Sequence, residues 1–396
     1  MKSSTSRLGT RSPVRQRIAL AAVGAFAMAS LVACGDGGET AEQPNENKIS
    51  VEEVPDYYPD SYATDVIEAS KDEGGELTIY SNTSEENWAP IFRDFQKKFP
   101  WIEKVSANDL DSDEVFQRVL AEQATGSSPV DLVVSNAAVA WADFAERDGT
   151  LQSYESPELG ELPDFATLLP NVYAMSTDPQ TIAYNTELMP EAPTGIASLA
   201  DIAEANKDVL QDKITVRDPE SSFGFTVTRN FTENNPDGWA DLERVLPFTR
   251  AETSSGTQME KILAGEYLAG FFVSGGPAFP VVDDSQGLVE VVYPEDGTTI
   301  LPRGIGIAAD APHPATSKLF VDFLLSEEGQ FAVAEGGLSS YREGVEGPGL
   351  HTYQEVVDAV GEDKVLFAPY ESVPDDEVTS WLDKFYTYVE PAPEEE

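Results

Sequence analysis

Residues 77–99 read LTIYSNTSEENWAPIFRDFQKKF, and this stretch sets the pattern that the rest of the chain follows. Residues 77–80 have the short apolar character of a buried strand, and small polar residues come directly after them. Ser84 is a suitable N-cap for the next helix, whose apolar residues recur at helical spacing up to Phe99. Because proline is best tolerated in a first turn, Pro90 predicts that the regular helix begins near residue 88.

The same alternation continues toward the C-terminus. The apolar patterns predict a helix over residues 112–125 and strands over residues 130–134, 214–217 and 268–273. Strands that alternate with amphipathic helices favour parallel sheets, so the sequence predicts an α/β fold.

Small polar residues follow four of the predicted strands, at residues 81–84, 135–136, 218–224 and 274–276. In open α/β sheets, ligands bind beyond the carboxyl ends of the strands, where helix N-termini present free N–H donors. The same residue types are ordinary in loops and helix caps, and that alternative applies to each loop taken singly. Four such runs in two halves of the chain favour a ligand cleft.

We therefore predict a set of ligand-binding residues that offer hydroxyls, amides and glycine N–H groups: Ser81, Asn82, Thr83, Ser135, Asn136, Ser221, Ser222, Ser254, Ser274 and Gly275. Tyr184 or Phe223 is expected to stack on the body of the ligand, although Tyr184 is equally suited to packing at a hinge. Arg217 is the nearest candidate for a charged clamp, with a surface ion pair as the alternative.

The charge of the chain restricts its partners. The 396 residues contain 25 Lys and Arg against 71 Asp and Glu, a formal net charge of −46. Such a surface repels nucleic acid and anionic lipid, so a nucleic-acid function is excluded. The 41% of hydrophobic residues is enough for packed cores and excludes wholesale disorder. Two explanations of the excess of acidic residues are left open: adaptation to high salt, or simply a well-solvated surface.

The first residues read as a secretion signal. Residues 1–17 are basic and polar, and residues 18–33 are apolar and rich in small side chains. The run LVAC at residues 31–34 resembles the lipobox of bacterial lipoproteins, which implies a lipid on Cys34 and an extracytoplasmic protein anchored to the cell membrane. An ordinary signal peptide beside a stray cysteine is the alternative. Residues 34–50 are polar and predict a flexible tether.

From about residue 75 to 345 the chain resembles the periplasmic binding protein superfamily, in the cluster of ferric-ion and phosphonate-type solute-binding proteins. The residues that carry the resemblance include LTIYSN at 77–82, IAYNT at 182–186, LAGEY at 263–267, YPEDGT at 293–298 and GIGI at 304–307. The longest run is KLFVDFLLSEEGQ at 318–330, after His313 and Pro314.

The resemblance implies a two-lobed type II fold that closes on a ligand by a hinge. Residues 51–180 with 300–345 would form one lobe and residues 181–299 with 346–388 the other. Crossings are expected near residues 173–184 and 291–300, and residues 389–396 would form a frayed acidic tail. The resemblance also implies a monomer without a cofactor that delivers its solute to the permease of an ABC importer.

The identity of the ligand is left open between two classes. Ferric members of the cluster use tyrosine pairs in the loop that here reads VSGGP at 273–277, and the two histidines, His313 and His351, lie outside the predicted cleft loops. The hydroxyls, amides and glycine N–H groups instead suit a phosphonate, a phosphate ester or a carboxylate. Thr253 to Gly256 offer further donors.

Other classes of protein are less well supported. A single cysteine, two poorly placed histidines and the lack of a Gly-x-Ser-x-Gly motif give no basis for a nucleophilic enzyme, although a secreted hydrolase with paired carboxylates remains an alternative. Asp109, Asp111 and Asp113 resemble the start of a calcium loop but lack its later glycine and glutamate, so an acidic helix start is the plainer interpretation. A surface sensing module on the same scaffold is the other alternative.

Overall fold

The computed structural model describes residues 54–392 and shows a mixed α/β architecture. The strands are β1 (Glu76–Ser81), β2 (Lys104–Asp109), β3 (Leu132–Ser135), β4 (Thr167–Leu169), β5 (Val172–Ser176), β6 (Gln180–Asn185), β7 (Ile214–Arg217), β8 (Thr249–Glu252), β9 (Ala269–Ser274), β10 (Val289–Val292), β11 (Thr298–Ile300), β12 (Arg303–Ile307) and β13 (Val365–Phe367).

Helices alternate with these strands over most of the chain, and a π-helical stretch, Ala63–Glu68, leads into the first of them. They are α1 (Ala69–Lys71), α2 (Glu85–Lys98), α3 (Glu114–Thr125), α4 (Ala138–Ala145), α5 (Ile196–Ala205), α6 (Lys207–Leu210), α7 (Ser222–Asn234), α8 (Gly238–Val245), α9 (Ser255–Leu263), α10 (Gly275–Asp284), α11 (Pro314–Leu325), α12 (Glu327–Glu335), α13 (Tyr353–Val360) and α14 (Asp375–Phe385).

The strands form two main sheets, which define two lobes. Lobe 1 contains the sheet β2-β1-β3-β12-β5-β4, and lobe 2 contains the sheet β10-β6-β9-β7-β8. The predicted parallel pairing holds for β1 with β2 and β3, and for β7 with β8 and β9, whereas β12 and β6 run antiparallel to their neighbours. The α/β fold with two lobes is therefore confirmed.

The helix after β1 starts earlier than the sequence predicts. The Oγ of Ser84 accepts a hydrogen bond from the backbone N–H of Asn87, and α2 begins at Glu85 rather than near residue 88. Pro90 lies inside the helix, where its missing N–H costs one backbone bond. The buried rings of Trp88 and Phe95 hold this helix against the core of lobe 1, so packing outweighs the local preference of proline.

The chain passes between the lobes in two adjacent segments. Residues 177–179 lead from β5 to β6, and the return passage through β11 reaches β12. The two passages pair with each other, because the N–H of Leu301 donates to the carbonyl of Asp178 at 3.0 Å. A small parallel sheet of β11 and β13 adds a third strand at this junction.

Residues 346–388, predicted to belong wholly to lobe 2, contact both lobes. The rings of Tyr353 and Phe367 pack on Phe165 of lobe 1, with centroids 5.3 and 4.6 Å away. Phe385 of α14, in contrast, is fully buried in the core of lobe 2. The segment therefore packs against both lobes at their junction, rather than extending one lobe.

The beginning of the predicted acidic tail is docked, not frayed. Val389 is buried, and the backbone N–H of Ala392 donates to the Oδ2 of Asp218 at 2.5 Å. Apolar contact with the core of lobe 2 outweighs the charge repulsion expected of this segment. The predicted signal peptide, Cys34, the tether and residues 393–396 lie outside the described residues. Within residues 54–392, no helix is both long enough and apolar enough to span a bilayer.

A buried carboxylate joins the N-terminal segment to lobe 1. Asp322 on α11 accepts hydrogen bonds from the hydroxyls of Tyr62 at 2.7 Å, Tyr154 at 2.5 Å and Ser156 at 2.6 Å. Burial raises the pKa of Asp322 to about 6, against the opposing effect of these donors. The raised pKa means that the folded protein binds a proton at this site more tightly than the unfolded chain does.

We predict that Asp322 makes stability depend on pH in a way that Asp322→Asn removes. Because the folded pKa lies above the unfolded value, the stabilisation is fully present below pH 4 and is lost as the pH rises through about 6. The difference in free energy of unfolding, wild type minus variant, should therefore increase by about 1 kcal/mol from pH 7.5 to pH 5 in urea titrations. Asp65→Asn, at an exposed carboxylate, is the control, and an unchanged difference would contradict the prediction.

Candidate functional site

A cavity of about 450 Å³ lies between the two lobes. Its walls come from the ends of β1, β2 and β3 in lobe 1 and of β7, β8 and β9 in lobe 2, which are the carboxyl ends of parallel strands. Arg303 reaches the same place from the beginning of β12. Because β12 runs antiparallel to β3, with Gly304 opposite Ser135, its first residue lies at the edge where β3 ends.

Three helices begin at this cavity. The first turns of α2, α9 and α10 contribute lining residues, and their N-cap residues Ser84, Ser254 and Ser274 line it as well. A helix N-terminus carries a partial positive charge and backbone N–H groups without intrahelical partners. Their convergence creates an electropositive environment inside a strongly acidic protein.

Asp178 is the buried centre of the polar network behind the cavity. Its carboxylate accepts hydrogen bonds from the Oγ of Ser274 at 2.7 and 2.8 Å, the N–H of Gly275 at 3.0 Å and the Nδ2 of Asn136 at 3.0 Å. Burial raises the pKa of Asp178, while Arg303, Ser274, Asn136 and Gly275 act in the opposite direction. The three donor groups and the nearby guanidinium of Arg303 therefore favour the ionised form of this carboxylate, against the larger effect of its burial.

Arg303 is a buried cation that faces the cavity. Its Nη1 donates to the Oδ1 of Asn82 at 2.6 Å, and its Nη2 lies 3.7 Å from the Oδ2 of Asp178. Its Nε has no hydrogen-bond partner, although the side chain is only about 5% exposed. Burial lowers the pKa of Arg303, and the nearby carboxylate of Asp178 opposes that shift. The guanidinium therefore retains capacity to bind an anion.

Several of the predicted ligand-binding residues line the cavity: Asn82, Thr83, Asn136, Ser254 and Ser274. Asn82 and Asn136 are joined by a 2.7 Å hydrogen bond, which extends the network from Arg303 to Asp178. Thr83 is 3% exposed, and its Oγ1 has no hydrogen-bond partner. A buried hydroxyl in this state is unfavourable unless a ligand or a water satisfies it.

Two predicted serines have roles within the protein instead and do not line the cavity. The Oγ of Ser81 accepts hydrogen bonds from the N–H of Thr83 at 2.9 Å and the Nε1 of Trp88 at 3.2 Å. The Oγ of Ser135 donates to the carbonyl of Ser112 at 2.8 Å and accepts from the N–H of Ala137 at 3.1 Å. Both side chains are fully buried, so they shape the loops that carry the lining residues.

The remaining predicted residues also lie outside the cavity lining. Ser221 caps α7 by accepting from the N–H of Gly224 at 3.1 Å. Ser222 contacts lobe 1, Gly275 donates to Asp178, and the hydroxyl of Tyr184 donates to Glu290 at 2.7 Å. Tyr184 belongs to β6 and packs in the core of lobe 2, so the packing interpretation of this residue is the one the structure favours.

Arg217 and Phe223 form the wall of the cavity in lobe 2. The guanidinium of Arg217 lies 5.3 Å from the ring centroid of Phe223, a cation–π geometry. The positive charge of Arg217 also lowers the pKa of Asp113 in lobe 1, although burial of Asp113 has the larger, opposite effect. Arg217 thus lines the cavity and interacts with groups of both lobes, and its role as a charged clamp on a ligand stays a prediction.

The sequence did not mark Asp178 or Arg303 as site residues. Asp178 lies between two strands with no motif around it, and Arg303 opens a short apolar strand next to Pro302. Both residues come to the site because β12 pairs antiparallel with β3 and β5. The sequence predicted parallel strands only, so it did not place them there. The only local indication of a site residue is that Arg303 is a charged residue at the start of a buried strand.

Three carboxylates, Glu86, Asp109 and Asp111, form what we call the acidic rim of the cavity. All three are exposed, and within residues 54–392 none of them forms an ion pair. Burial raises the pKa of Asp109, and the charges of Asp111 and Glu86 raise it further. Within the described residues, the rim is therefore a region of like charge that has no ion pair.

The lobes touch beside the cavity. The N–H of Ser222, the first residue of α7, donates to the Oδ2 of Asp113 at 3.2 Å, and the N–H of Ala140 donates to the Oγ of Ser222 at 3.3 Å. Asp113 thus places a carboxylate of lobe 1 at a helix N-terminus of lobe 2, a favourable arrangement for a negative charge. These contacts hold the lobes together around the cavity.

The cavity lining contains no tyrosine and no histidine. Among residues 54–392 there is no group of three or more His, Cys, Asp or Glu side chains arranged to hold a metal ion. Tyr57, Tyr58 and Tyr386 donate to Glu158 and Asp218, away from the cavity.

Comparison with known proteins identifies a family. The family described as "Bacterial extracellular solute-binding protein" matches residues 91–349. A search of curated protein sequences finds no match to the chain.

Solved structures with the same fold include three solute-binding proteins. The substrate-binding protein of an ABC transporter from Agrobacterium tumefaciens has a TM-score of 0.71 at 20% identity, over 80% of this chain and 95% of that one. AfuA from Actinobacillus pleuropneumoniae, with fructose-6-phosphate bound, has a TM-score of 0.62 at 20% identity, over 79% and 98%. Iron-bound HitA from Pseudomonas aeruginosa has a TM-score of 0.60 at 19% identity, over 78% and 99%. At these sequence identities, the similarity shows that the fold is shared and nothing further.

We predict that Asp113→Ala separates the lobes in the absence of ligand. The change removes the hydrogen bond to Ser222, worth about 1 kcal/mol, so the ratio of closed to open molecules should fall about fivefold. Small-angle X-ray scattering should then show a larger radius of gyration than for the wild type. The control is Asp148→Ala, at an exposed carboxylate of the same lobe. Identical scattering from Asp113→Ala and the wild type would show that this contact does not hold the lobes.

Proposed function

The chain belongs to the family of bacterial extracellular solute-binding proteins, and on that premise we propose that it captures a small phosphorylated or phosphonate solute between its lobes. In this proposal the protein is anchored to the outside of the cell membrane by lipid on Cys34 and delivers its solute to the permease of an ABC importer. Capture is reversible and involves no covalent chemistry.

The proposal that the ligand is an anion rests on one observation. Thr83 and Arg303, which we call the cavity floor, both line the cavity, and each carries a buried donor without a hydrogen-bond partner, Oγ1 of Thr83 and Nε of Arg303. A phosphoryl oxygen satisfies both kinds of donor, because guanidinium and hydroxyl groups each bind anionic oxygen strongly. The N-termini of α2, α9 and α10 add further N–H groups and a favourable dipole. AfuA, a protein of similar fold, is solved with fructose-6-phosphate, which makes sugar phosphates suitable probes.

Closure of the lobes completes the binding step. Residues on both sides of the cavity, Asn82 and Asn136 in lobe 1 and Ser254 and Ser274 in lobe 2, contact a ligand together only when the lobes are close. Closure also excludes water, which strengthens each interaction with the anion. The ligand thereby stabilises the closed form, the form that a permease would distinguish from the empty protein.

We predict that glucose 6-phosphate raises the thermal stability of the purified protein, since a ligand that binds only the folded form stabilises it by mass action. Thr83→Val removes the unpartnered hydroxyl at nearly constant volume, and it should weaken binding about tenfold in isothermal titration calorimetry while leaving the fold intact. Arg303→Lys keeps the positive charge but removes the planar fork of donors, and a larger loss is expected.

The matched control is Thr316→Val. Thr316 is also a buried threonine whose Oγ1 lacks a partner, but it lies on α11, away from the cavity. Its substitution should leave the affinity for glucose 6-phosphate unchanged. The proposal fails if phosphate esters and alkylphosphonates do not bind, or if Thr83→Val and Arg303→Lys bind them as the wild type does. Stabilisation by ferric citrate alone, with a phenolate-to-iron absorption band, would establish the ferric alternative instead.

A further inference from the structure

The segment that connects β13 to α14, residues 368–374, contacts both lobes, and we call it the latch segment. Its first part is fixed at the junction of the lobes. The N–H of Ala368 donates to the carbonyl of Ile300 at 2.9 Å, and the hydroxyl of Tyr370 donates to the carbonyl of Pro302 at 2.5 Å. The ring of Tyr370 packs against apolar clusters of both lobes. Because such contacts are costly to break, this end of the segment stays in place when the lobes move.

The other end of the latch segment is attached to lobe 2. Arg229 on α7 forms ion pairs with Glu371 at 3.1 Å and with Glu377, in the first turn of α14, at 2.9 Å. The side chain of Arg229 is only 15% exposed, and Phe385 fixes α14 in the core of lobe 2. The latch segment beyond its first part is therefore carried by lobe 2.

Between these two ends, the latch segment makes an exposed contact with lobe 1. The Oγ of Ser372 donates to the Oδ1 of Asp143 on α4 at 2.6 Å, and both residues are exposed. A hydrogen bond between two exposed side chains breaks at little cost, because water replaces each partner. This contact is therefore suited to forming and breaking as the lobes move.

The helix that carries Asp143 also contacts lobe 2 directly. Ala138 of α4 is buried in the apolar cluster that forms the core of lobe 2, and the N–H of Ala140 donates to the Oγ of Ser222 at 3.3 Å. Asp143 follows Ala140 by about one helical turn, so the two polar contacts lie close together along α4. Separation of the lobes at this helix would break both of them.

We infer that the latch segment favours the closed arrangement of the lobes: it is carried by lobe 2, and Ser372 binds Asp143 of lobe 1 when the lobes close. Loss of this hydrogen bond shifts the population of molecules toward the open arrangement, in which the bond is absent. The inference concerns the protein without solute, so it does not depend on the proposed function.

Hydrogen exchange of the purified full chain, without solute, tests the latch. The N–H groups of Ala140 and Ser222 lie in the first turns of α4 and α7, where intrahelical bonds do not protect them, so bonds between the lobes provide their protection. Ser372→Ala should raise the exchange rates of both by about threefold, the effect of one exposed hydrogen bond to a carboxylate. The exchange rates of the amides in β3 and β9 should not change.

A double-mutant cycle and a matched control make the result specific. Asp143→Ala should have the same effect as Ser372→Ala, and the double variant should exchange no faster than either single variant. The control is Ser380→Ala, at an exposed serine of α14 whose Oγ donates to the carbonyl of Asp376 in its own helix at 2.8 Å, and it should exchange as the wild type does. The latch is overturned if Ser372→Ala leaves both amides at the wild-type rate, if the two substitutions have additive effects, or if the amides of β3 and β9 are accelerated equally.

Discussion

The burial of the Asp178 carboxylate is the constraint on which the rest of the site depends. An ionised carboxylate removed from water is tolerated only when donors surround it, and here they come from both lobes: Asn136 from lobe 1, Ser274 and Gly275 from lobe 2. Because Asp178 lies on one of the two passages between the lobes, meeting this requirement also fixes the ends of β3 and β9 relative to the junction. Arg303, which lines the cavity, is held beside the same carboxylate, and its Nε is left without a hydrogen-bond partner.

Much of the architecture is readable from the sequence, because it depends on local patterns. The run at 77–99 has the signature of a strand, a cap and an amphipathic helix, and β7 falls at the predicted residues 214–217. The site is only partly predictable. Thr83 and Ser81 are both small polar residues at the end of β1, yet Thr83 lines the cavity while the Oγ of Ser81 accepts a hydrogen bond from Trp88. Which way a hydroxyl points depends on packing partners that are distant in sequence, and Arg303 reaches the cavity only through the antiparallel pairing of β12.

The net negative charge of the protein and the donors that would bind the proposed anion act over different distances. The formal charge of −46 acts at long range and is screened by salt. In the proposed complex, the helix N-termini and Arg303 would act within hydrogen-bond distance, in a cavity from which closure excludes water, so we expect them to dominate the binding energy.

The most direct test of this account is a crystal structure of the purified protein with a phosphorylated ligand identified by calorimetry. We expect the phosphoryl group between the lobes, with its oxygens within hydrogen-bond distance of Arg303 Nε and Thr83 Oγ1 and with Asp178 still bound by Ser274. A phosphoryl group bound elsewhere on the surface, or a metal ion held in the cavity by the carboxylates of the acidic rim, would contradict the central claim that buried donors at the junction of the lobes form an anion site.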